Sequence, residues 1–256
     1  MTKNYQGYLI DLDGTMYRGE ETIDAAAKFV ERLNEKNIPH LFVTNNSSRT
    51  PEQVAEKLSA MNIPATAKDV FTTSMATANY IYDQFGTVSV YMIGEEGLSQ
   101  ALKDKGMKLS TTQPKAVVIG IDRAINYEKL SNACLAVRAG AAFISTNADV
   151  AIPSEEGLLP GNGSITSVVS VSTGRSPQFI GKPESVIVDQ ALDVLGTDRS
   201  ETLMVGDNYD TDIMAGINAE MDTLLVHTGV TSPRELQEKA VQPTYVRTSL
   251  DEWKIE

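Results

Sequence analysis

Asp11 and Asp13 stand two residues apart, directly after the apolar run Tyr8-Leu9-Ile10 and directly before Gly14-Thr15. A strand that ends in such a pair delivers both acids to one edge of a sheet. One carboxylate can then attack an electrophile while its neighbour handles protons. Charges packed this closely call for a cation, and a hard ion such as Mg²⁺ prefers oxygen ligands. The same pentapeptide also reads as a strand followed by an ordinary Asp-Gly turn, so its chemistry depends on what else reaches that edge.

The elements that must position these groups alternate along the chain. Apolar runs at 8–10, 41–43, 88–93, 116–119, 142–144, 202–205 and 223–226 are rich in Val, Ile and Leu with little alternation. That pattern suits strands covered on both faces of a parallel sheet. Between them lie helical patterns. In 24–36, Ala26, Phe29, Val30 and Leu33 share a face. From Thr50-Pro51-Glu52-Gln53, with the signature of a helix start, Val54, Leu58 and Met61 make a stripe. Tyr127, Leu130, Cys134 and Val137 make another, and 184–195 ends at Gly196, a natural helix stop. Ser232-Pro233-Arg234-Glu235 repeats the capping-box logic. Residues 164–173 fit either a strand, by their β-branched content, or a helix, by their length. Repeated strand–helix alternation predicts an α/β fold with parallel strands.

In a parallel sheet, the residues just past the carboxyl ends of the strands converge, and ligands bind there. After the second strand stand Thr44-Asn45-Asn46-Ser47-Ser48. After 202–205 come Gly206-Asp207-Asn208-Tyr209-Asp210-Thr211-Asp212, and Gly181-Lys182-Pro183 leads into the preceding helix. Taken singly, each has an ordinary explanation: a hydrogen-bonded loop for 44–46, a solvated surface lysine for Lys182, a charged helix start for the aspartates. Together they form a set for metal-assisted phosphoryl transfer, where catalysis is mostly positioning and charge neutralisation. Asp11 is the candidate nucleophile and Asp13 the candidate acid and base. Thr44 and the backbone N–H groups around Asn45 and Asn46 are candidate phosphoryl-binding groups, with Mg²⁺ and Lys182 supplying positive charge.

Asp11-x-Asp13-Gly14-Thr15, Thr44, Lys182 and Gly206-Asp207 through Asp212 resemble, in order, the four motifs of the haloacid dehalogenase-like phosphohydrolases. Tyr17-Arg18-Gly19, Val43-Thr44-Asn45-Asn46-Ser47 and Gly206-Asp207-Asn208-x-x-Thr211-Asp212-Ile213 resemble the NagD-type subfamily, which includes 4-nitrophenyl, sugar, nucleotide, pyridoxal and phosphoglycolate phosphatases. The resemblance implies a Rossmann-like core, residues 1–78 and 180–256, carrying a large inserted α/β cap at 79–179. It implies Mg²⁺ held by the Asp11 and Asp207 side chains and the Asp13 backbone carbonyl, with Asp212 a supporting acid beside the ion. The implied reaction is hydrolysis of small phosphomonoesters through an aspartyl-phosphate. The same scaffold also serves phosphotransferases and phosphomutases, and an Asp–Thr–Lys set occurs in non-catalytic phospho-acceptor sensors. The implied partner is a small phosphorylated metabolite.

The 256 residues are 41% hydrophobic and 22% charged, an ordinary soluble globular profile. A formal net charge of −12 argues against nucleic acid, which requires a basic face. No apolar run approaches the roughly 20 residues that span a bilayer, and the start of the chain lacks a signal-peptide pattern. Cys134 is the lone cysteine and reads as a core thiol. These features fit a cytoplasmic protein. They leave the oligomeric state open, a homodimer being one option. His40, His227 and Trp253 read as structural residues, and Asp210 is not assigned as a ligand. Asn147 and Asp149 are candidate substrate contacts in the cap, and Gly161-Asn162-Gly163-Ser164 reads as a turn between cap and core.

Overall fold

The computed structural model describes residues 3–154 and 157–255, which group into two units. Among these, the first comprises 3–44, 51–71 and 182–255, and the second 45–50, 72–154 and 157–181. The sequence reading opens the insert at 79. The second unit instead includes 72–78, because a single helix runs through 79 without a break.

In chain order the first unit begins with β1 (Gly7–Ile10), β2 (Tyr17–Arg18), β3 (Glu21–Thr22), α1 (Asp24–Glu35), β4 (His40–Thr44), α2 (Pro51–Ala60) and β5 (Val70–Thr72). The second unit follows with α3 (Thr73–Phe85), β6 (Ser89–Ile93), α4 (Glu96–Asp104), β7 (Lys108–Leu109), β8 (Ala116–Ile119) and α5 (Tyr127–Arg138). It continues through β9 (Ala142–Ser145), β10 (Ala151–Ser154), β11 (Gly157–Pro160), α6 (Asn162–Thr173) and β12 (Gln178–Phe179). The chain then returns with α7 (Ser185–Leu195), β13 (Thr202–Gly206), α8 (Met214–Asn218), β14 (Asp222–Val226), α9 (Pro233–Gln237) and β15 (Tyr245–Arg247).

The first unit is built on a six-stranded sheet in the order β15-β14-β13-β1-β4-β5. β1 pairs parallel with both β13 and β4, and β14 pairs parallel with β13 and β15. All residues of β1 and β13 are buried, which is why their sequences show no alternation. The order of strands reverses at β1 and β13, the switch point where open α/β sheets bind ligands. Helix α1 buries Ala26, Phe29, Val30 and Leu33 against this sheet's core, as its spacing predicts. Trp253 is buried with Tyr5 and Tyr8 and packs on the half-buried Tyr245, and its indole N–H donates to the Tyr8 hydroxyl. Helix α7 stops at Gly196, whose φ of +75° places it in the left-handed region that glycine tolerates.

The second unit has its own five-stranded sheet, β12-β9-β8-β6-β7, with parallel pairing throughout. It also has its own core, centred on Ile93, Val117, Ile119, Ala133 and Val169. Residues 164–173 are helical. Helix α6 starts at Asn162, so the Gly161–Ser164 stretch is a helix start and not a turn between units. A Cβ at Gly161 or Gly163 would fall 2.2 or 2.3 Å from the carbonyl of Asp149 or Ala148. Two glycines therefore let the first turn of α6 press onto the preceding loop. Tyr127 is 87% exposed, against its expected place on the buried stripe of α5. It is the first residue of the helix, capped by Asn126, and the buried face consists of Ala133, Cys134 and Val137.

Candidate active site

The ends of β1 and β13 lie side by side: the N–H of Asp11 donates to the Val205 carbonyl at 2.9 Å. Each strand therefore delivers its next residue to the same edge. Oxygens of Asp11, Asp207 and Asp212 all lie within 4.8 Å of one another, and all three side chains are buried. Asp212 comes from a π-helical turn, Tyr209–Ile213, that brings the chain back toward the sheet. The Asn208 N–H holds its carboxylate at 3.0 Å. Buried charge must be compensated, and Lys182 is the cation. Its Nζ lies 2.5 Å from Asp11 Oδ1 and 2.8 Å from Asp212 Oδ1, and donates to the Val43 carbonyl at 2.9 Å. A lysine 98% removed from solvent is not the solvated surface residue that its type suggests.

The electrostatics follow from that count of charges. Burial pushes the Asp11 carboxyl well above the carboxylate range, and Asp212 and Asp207 push it further, against the pull of Lys182. Burial and Asp212 push Asp207 up to about 6, against hydrogen bonds from Val230 and Thr15. Burial alone would lower Lys182, yet Asp11 and Asp212 reverse this and hold its ammonium charged. Three carboxylates facing one ammonium leave a negative excess. An all-oxygen set of this kind fits a hard divalent cation, so the residues suit Mg²⁺.

Asp13 is the exposed member. Burial raises its carboxyl, an effect opposed by the charge of Lys57 and by the nearby Gly19 backbone. Thr44 ends β4, the strand paired with β1 in the register Ile10↔Phe42, and so stands one residue beyond the level of Asp11. Asn45 and Asn46 group with the second unit. The Asn45 amide donates to both Asp149 oxygens, at 3.2 and 3.3 Å, and the Asn147 amide donates to the Asn45 carbonyl at 2.8 Å. Asn46 Oδ1 accepts from the Ser48 and Arg49 N–H groups. Asp210 is exposed and pairs with Lys239. His40 lies at the opposite end of β4, and burial lowers its imidazole. His227 Nδ1 lies 2.9 Å from the Thr231 carbonyl, so both histidines have structural partners.

Sequence reasoning missed the residues that hold the carboxylates still. The Thr15 hydroxyl lies 3.0 Å from Asp207 Oδ1 and 3.3 Å from Asp11 Oδ2, bridging the two strand ends. The Val230 N–H donates to Asp207 Oδ2 at 2.7 Å. Beside it, a Cβ at Gly229 would fall 2.0 Å from that same oxygen. At Gly206 a Cβ would fall 2.2 Å from Asp212 Cβ. One signal was available: 227–231 come directly after β14 at the same edge.

Residues 8–108 match the haloacid dehalogenase-like hydrolase family, and residues 179–253 match the HAD-hydrolase-like family. The chain is 62% identical to the 5'-nucleotidase YutF of Bacillus subtilis, over 98% of each chain. It is 59% identical to the acid sugar phosphatase of Staphylococcus haemolyticus, over 95% of this chain and 93% of that one. Its fold superposes on a double mutant of the thermostable NPPase from Geobacillus stearothermophilus with a TM-score of 0.95, at 58% identity and full coverage of both chains. With identity at this level over nearly its whole length, the chain belongs to the haloacid dehalogenase-like hydrolases and is one of that family's phosphatase enzymes.

Proposed function

We propose that this enzyme hydrolyses small phosphomonoesters, sugar phosphates or nucleotides, with Mg²⁺ and through an aspartyl-phosphate on Asp11. The observation that carries the reading is the buried meeting of Asp11, Asp207, Asp212 and Lys182 at the strand-order reversal of the first unit. The names of the relatives, a 5'-nucleotidase and an acid sugar phosphatase, support the substrate class.

In this reading the Asp11 carboxylate attacks phosphorus and the ester P–O bond breaks. The departing alkoxide takes the proton of Asp13. Water then attacks the acyl-phosphate at phosphorus and gives its proton to Asp13. Inorganic phosphate leaves, and Asp11 is restored. Lys182 neutralises the nucleophile and the phosphoryl oxygens, and Thr44 with the next backbone N–H groups binds those oxygens. The Asp11 and Asp207 side chains and the Asp13 carbonyl would hold Mg²⁺, with Asp212 in support. The ion, when bound, supplies positive charge for the transferring group and relieves the repulsion among the carboxylates. Among the described residues no helix is long and apolar enough to cross a membrane. We assign the second unit the part of the cap, and the protein to the cytoplasm.

The test is release of phosphate from 4-nitrophenyl phosphate with Mg²⁺, in the wild type and in Asp11→Asn. The variant should lose activity by several orders of magnitude, since the nucleophile itself is gone. Unchanged turnover in Asp11→Asn would overturn the assignment. Free phosphate released with no added acceptor distinguishes hydrolysis from phosphoryl transfer to a sugar.

A further inference from the structure

Within the second unit, the loop after β9 grips residue 45 by both its main chain and its side chain. The Asn147 amide donates to the Asn45 carbonyl at 2.8 Å, and the Asn45 amide donates to both Asp149 carboxylate oxygens. Glycine at 181 makes room for this grip: a Cβ there would fall 2.5 Å from Asn45 Oδ1 and 2.7 Å from the Thr146 carbonyl. The gripping loop is itself fixed. Asn147 is only 3% exposed. Its Oδ1 accepts from the Asp149 N–H at 3.1 Å, and its carbonyl accepts from the Asn162 amide at 2.8 Å and the Ser145 hydroxyl at 3.1 Å. Asn162 opens α6 and is buried, and its amide also reaches the Ser145 and Thr146 hydroxyls. A buried network of mutually bonded groups holds one geometry.

A carbonyl cannot be aimed without aiming an N–H. The peptide between Asn45 and Asn46 is trans, and a trans peptide is planar, with its C=O and N–H pointing in opposite directions. The bond from Asn147 to the Asn45 carbonyl therefore sets the direction of the Asn46 N–H. We propose that Asn147 is a positioning residue for the reaction: by holding the Asn45 carbonyl, it orients the Asn46 N–H toward the phosphoryl oxygens, and it does so without touching the leaving group. The proposal rests on the reading that the N–H groups following Thr44 bind those oxygens.

A residue that acts through a phosphoryl donor changes every substrate by one factor, because the phosphoryl group is what all substrates share. A residue that contacts the leaving group separates them. The experiment measures kcat/KM for 4-nitrophenyl, phenyl and 1-naphthyl phosphate at saturating Mg²⁺, and the competitive inhibition constant of inorganic phosphate. It compares the wild type with Asn147→Ala, Asn147→Asp, Thr44→Val and Val169→Ala. Asn147→Asp keeps the shape and the acceptor for the Asp149 N–H, and replaces the donor with an oxygen that repels the Asn45 carbonyl. Val169→Ala opens a cavity in the core of the same unit and is the control for lost stability. Removing an oxyanion donor costs about 10²–10³-fold in rate, and misdirecting one should cost less, about tenfold for Asn147→Ala, by the same factor for all three substrates. Its phosphate inhibition should weaken to a similar extent, and Asn147→Asp should lose more of both. Thr44→Val should also weaken phosphate inhibition, whereas Val169→Ala should lower the Tm and leave phosphate inhibition at its wild-type value. Unequal losses across the three substrates would make Asn147 a leaving-group contact and overturn the positioning role. Phosphate inhibition unchanged in both Asn147 variants, beside a weakened one in Thr44→Val, would overturn the role of Asn147 alone. Unchanged phosphate inhibition in Thr44→Val would overturn the phosphoryl-binding assignment, and the positioning role with it.

Discussion

Replacing Gly229 by alanine tests the proposed metal-binding corner without removing any candidate ligand. A Cβ at this position would stand 2.0 Å from Asp207 Oδ2, 2.5 Å from Asp207 Cγ and 2.8 Å from Gly14 Cα. Real Cβ contacts are essentially never shorter than 3.0 Å, so the Asp207 carboxylate must retreat by about 1 Å, and Gly14 leaves it little room. The retreat strains or breaks the 2.7 Å hydrogen bond from Val230 and the 3.0 Å bond from Thr15. A lost hydrogen bond to a charged group costs about 1.5–3 kcal/mol, and overpacking adds about 1–3 kcal/mol. A total near 3 kcal/mol lowers the Tm of a domain this size by roughly 6–12 °C. Displacing a catalytic group by about 1 Å costs on the order of 10²-fold in rate. Two assays are needed: thermal unfolding with and without Mg²⁺, and the Mg²⁺ dependence of 4-nitrophenyl phosphate hydrolysis. Gly196→Ala is the control, since its Cβ would meet nothing and only its φ of +75° is unfavourable. It should lose about 1 kcal/mol of stability and keep its metal response. If Gly229→Ala kept the wild-type half-saturation for Mg²⁺ and its turnover, Asp207 would not be holding the ion, and the reasoning would fail.

Two further predictions concern charge. Lys182→Met removes an ammonium shared by Asp11 and Asp212 and leaves both buried carboxylates without that charge. Breaking a buried pair costs about 3–5 kcal/mol. The Tm should fall by roughly 10 °C, and saturating Mg²⁺ should recover more of it than it adds to the wild type; equal gains would argue against a shared charge-balancing site. At the other end of the sheet, burial tends to raise the Asp222 carboxyl, but hydrogen bonds from Lys3 and Tyr5 outweigh it and hold the group below its usual value. A depressed carboxyl gives stability that is present above the unfolded-state value and lost as the pH falls through the folded one. Asp222→Asn should therefore cost stability at pH 7 and next to nothing near pH 2. Because the pair is partly exposed, the loss should stay under about 1 kcal/mol. Urea unfolding at the two pH values checks this.

The parallel-sheet logic made the main features legible. Runs of Val, Ile and Leu without alternation marked the central strands, and the residues just past those strand ends included Asp11, Asp207 and Asp212, which the fold does gather. Lys182 was legible only in combination, since nothing about a lone lysine before proline signals burial. Other features have no one-dimensional signal. β2, β3, β7 and β12 are two residues long, too short for a period of two to register. The β-branched content of 164–173 argued for a strand as strongly as its length argued for a helix. What decides is the pair Gly161 and Gly163, which let the helix start against the 148–149 backbone. Tyr127 was assigned to the core by spacing alone, although the first turn of a helix need not face inward. The need for glycine at 206 and 229 has no local signal, because the carboxylates they admit are distant in sequence or folded back from a π-helical turn.

The sequence holds a single tryptophan, and its indole lies wholly inside the first unit, among three tyrosines and under the Arg247 guanidinium. Emission excited at the red edge of the near ultraviolet thus watches that unit and is blind to the other. Far-ultraviolet dichroism sums the backbone of both. Whether the two melting curves coincide separates all-or-none unfolding from stepwise loss of one body before the other, with no label or added chromophore.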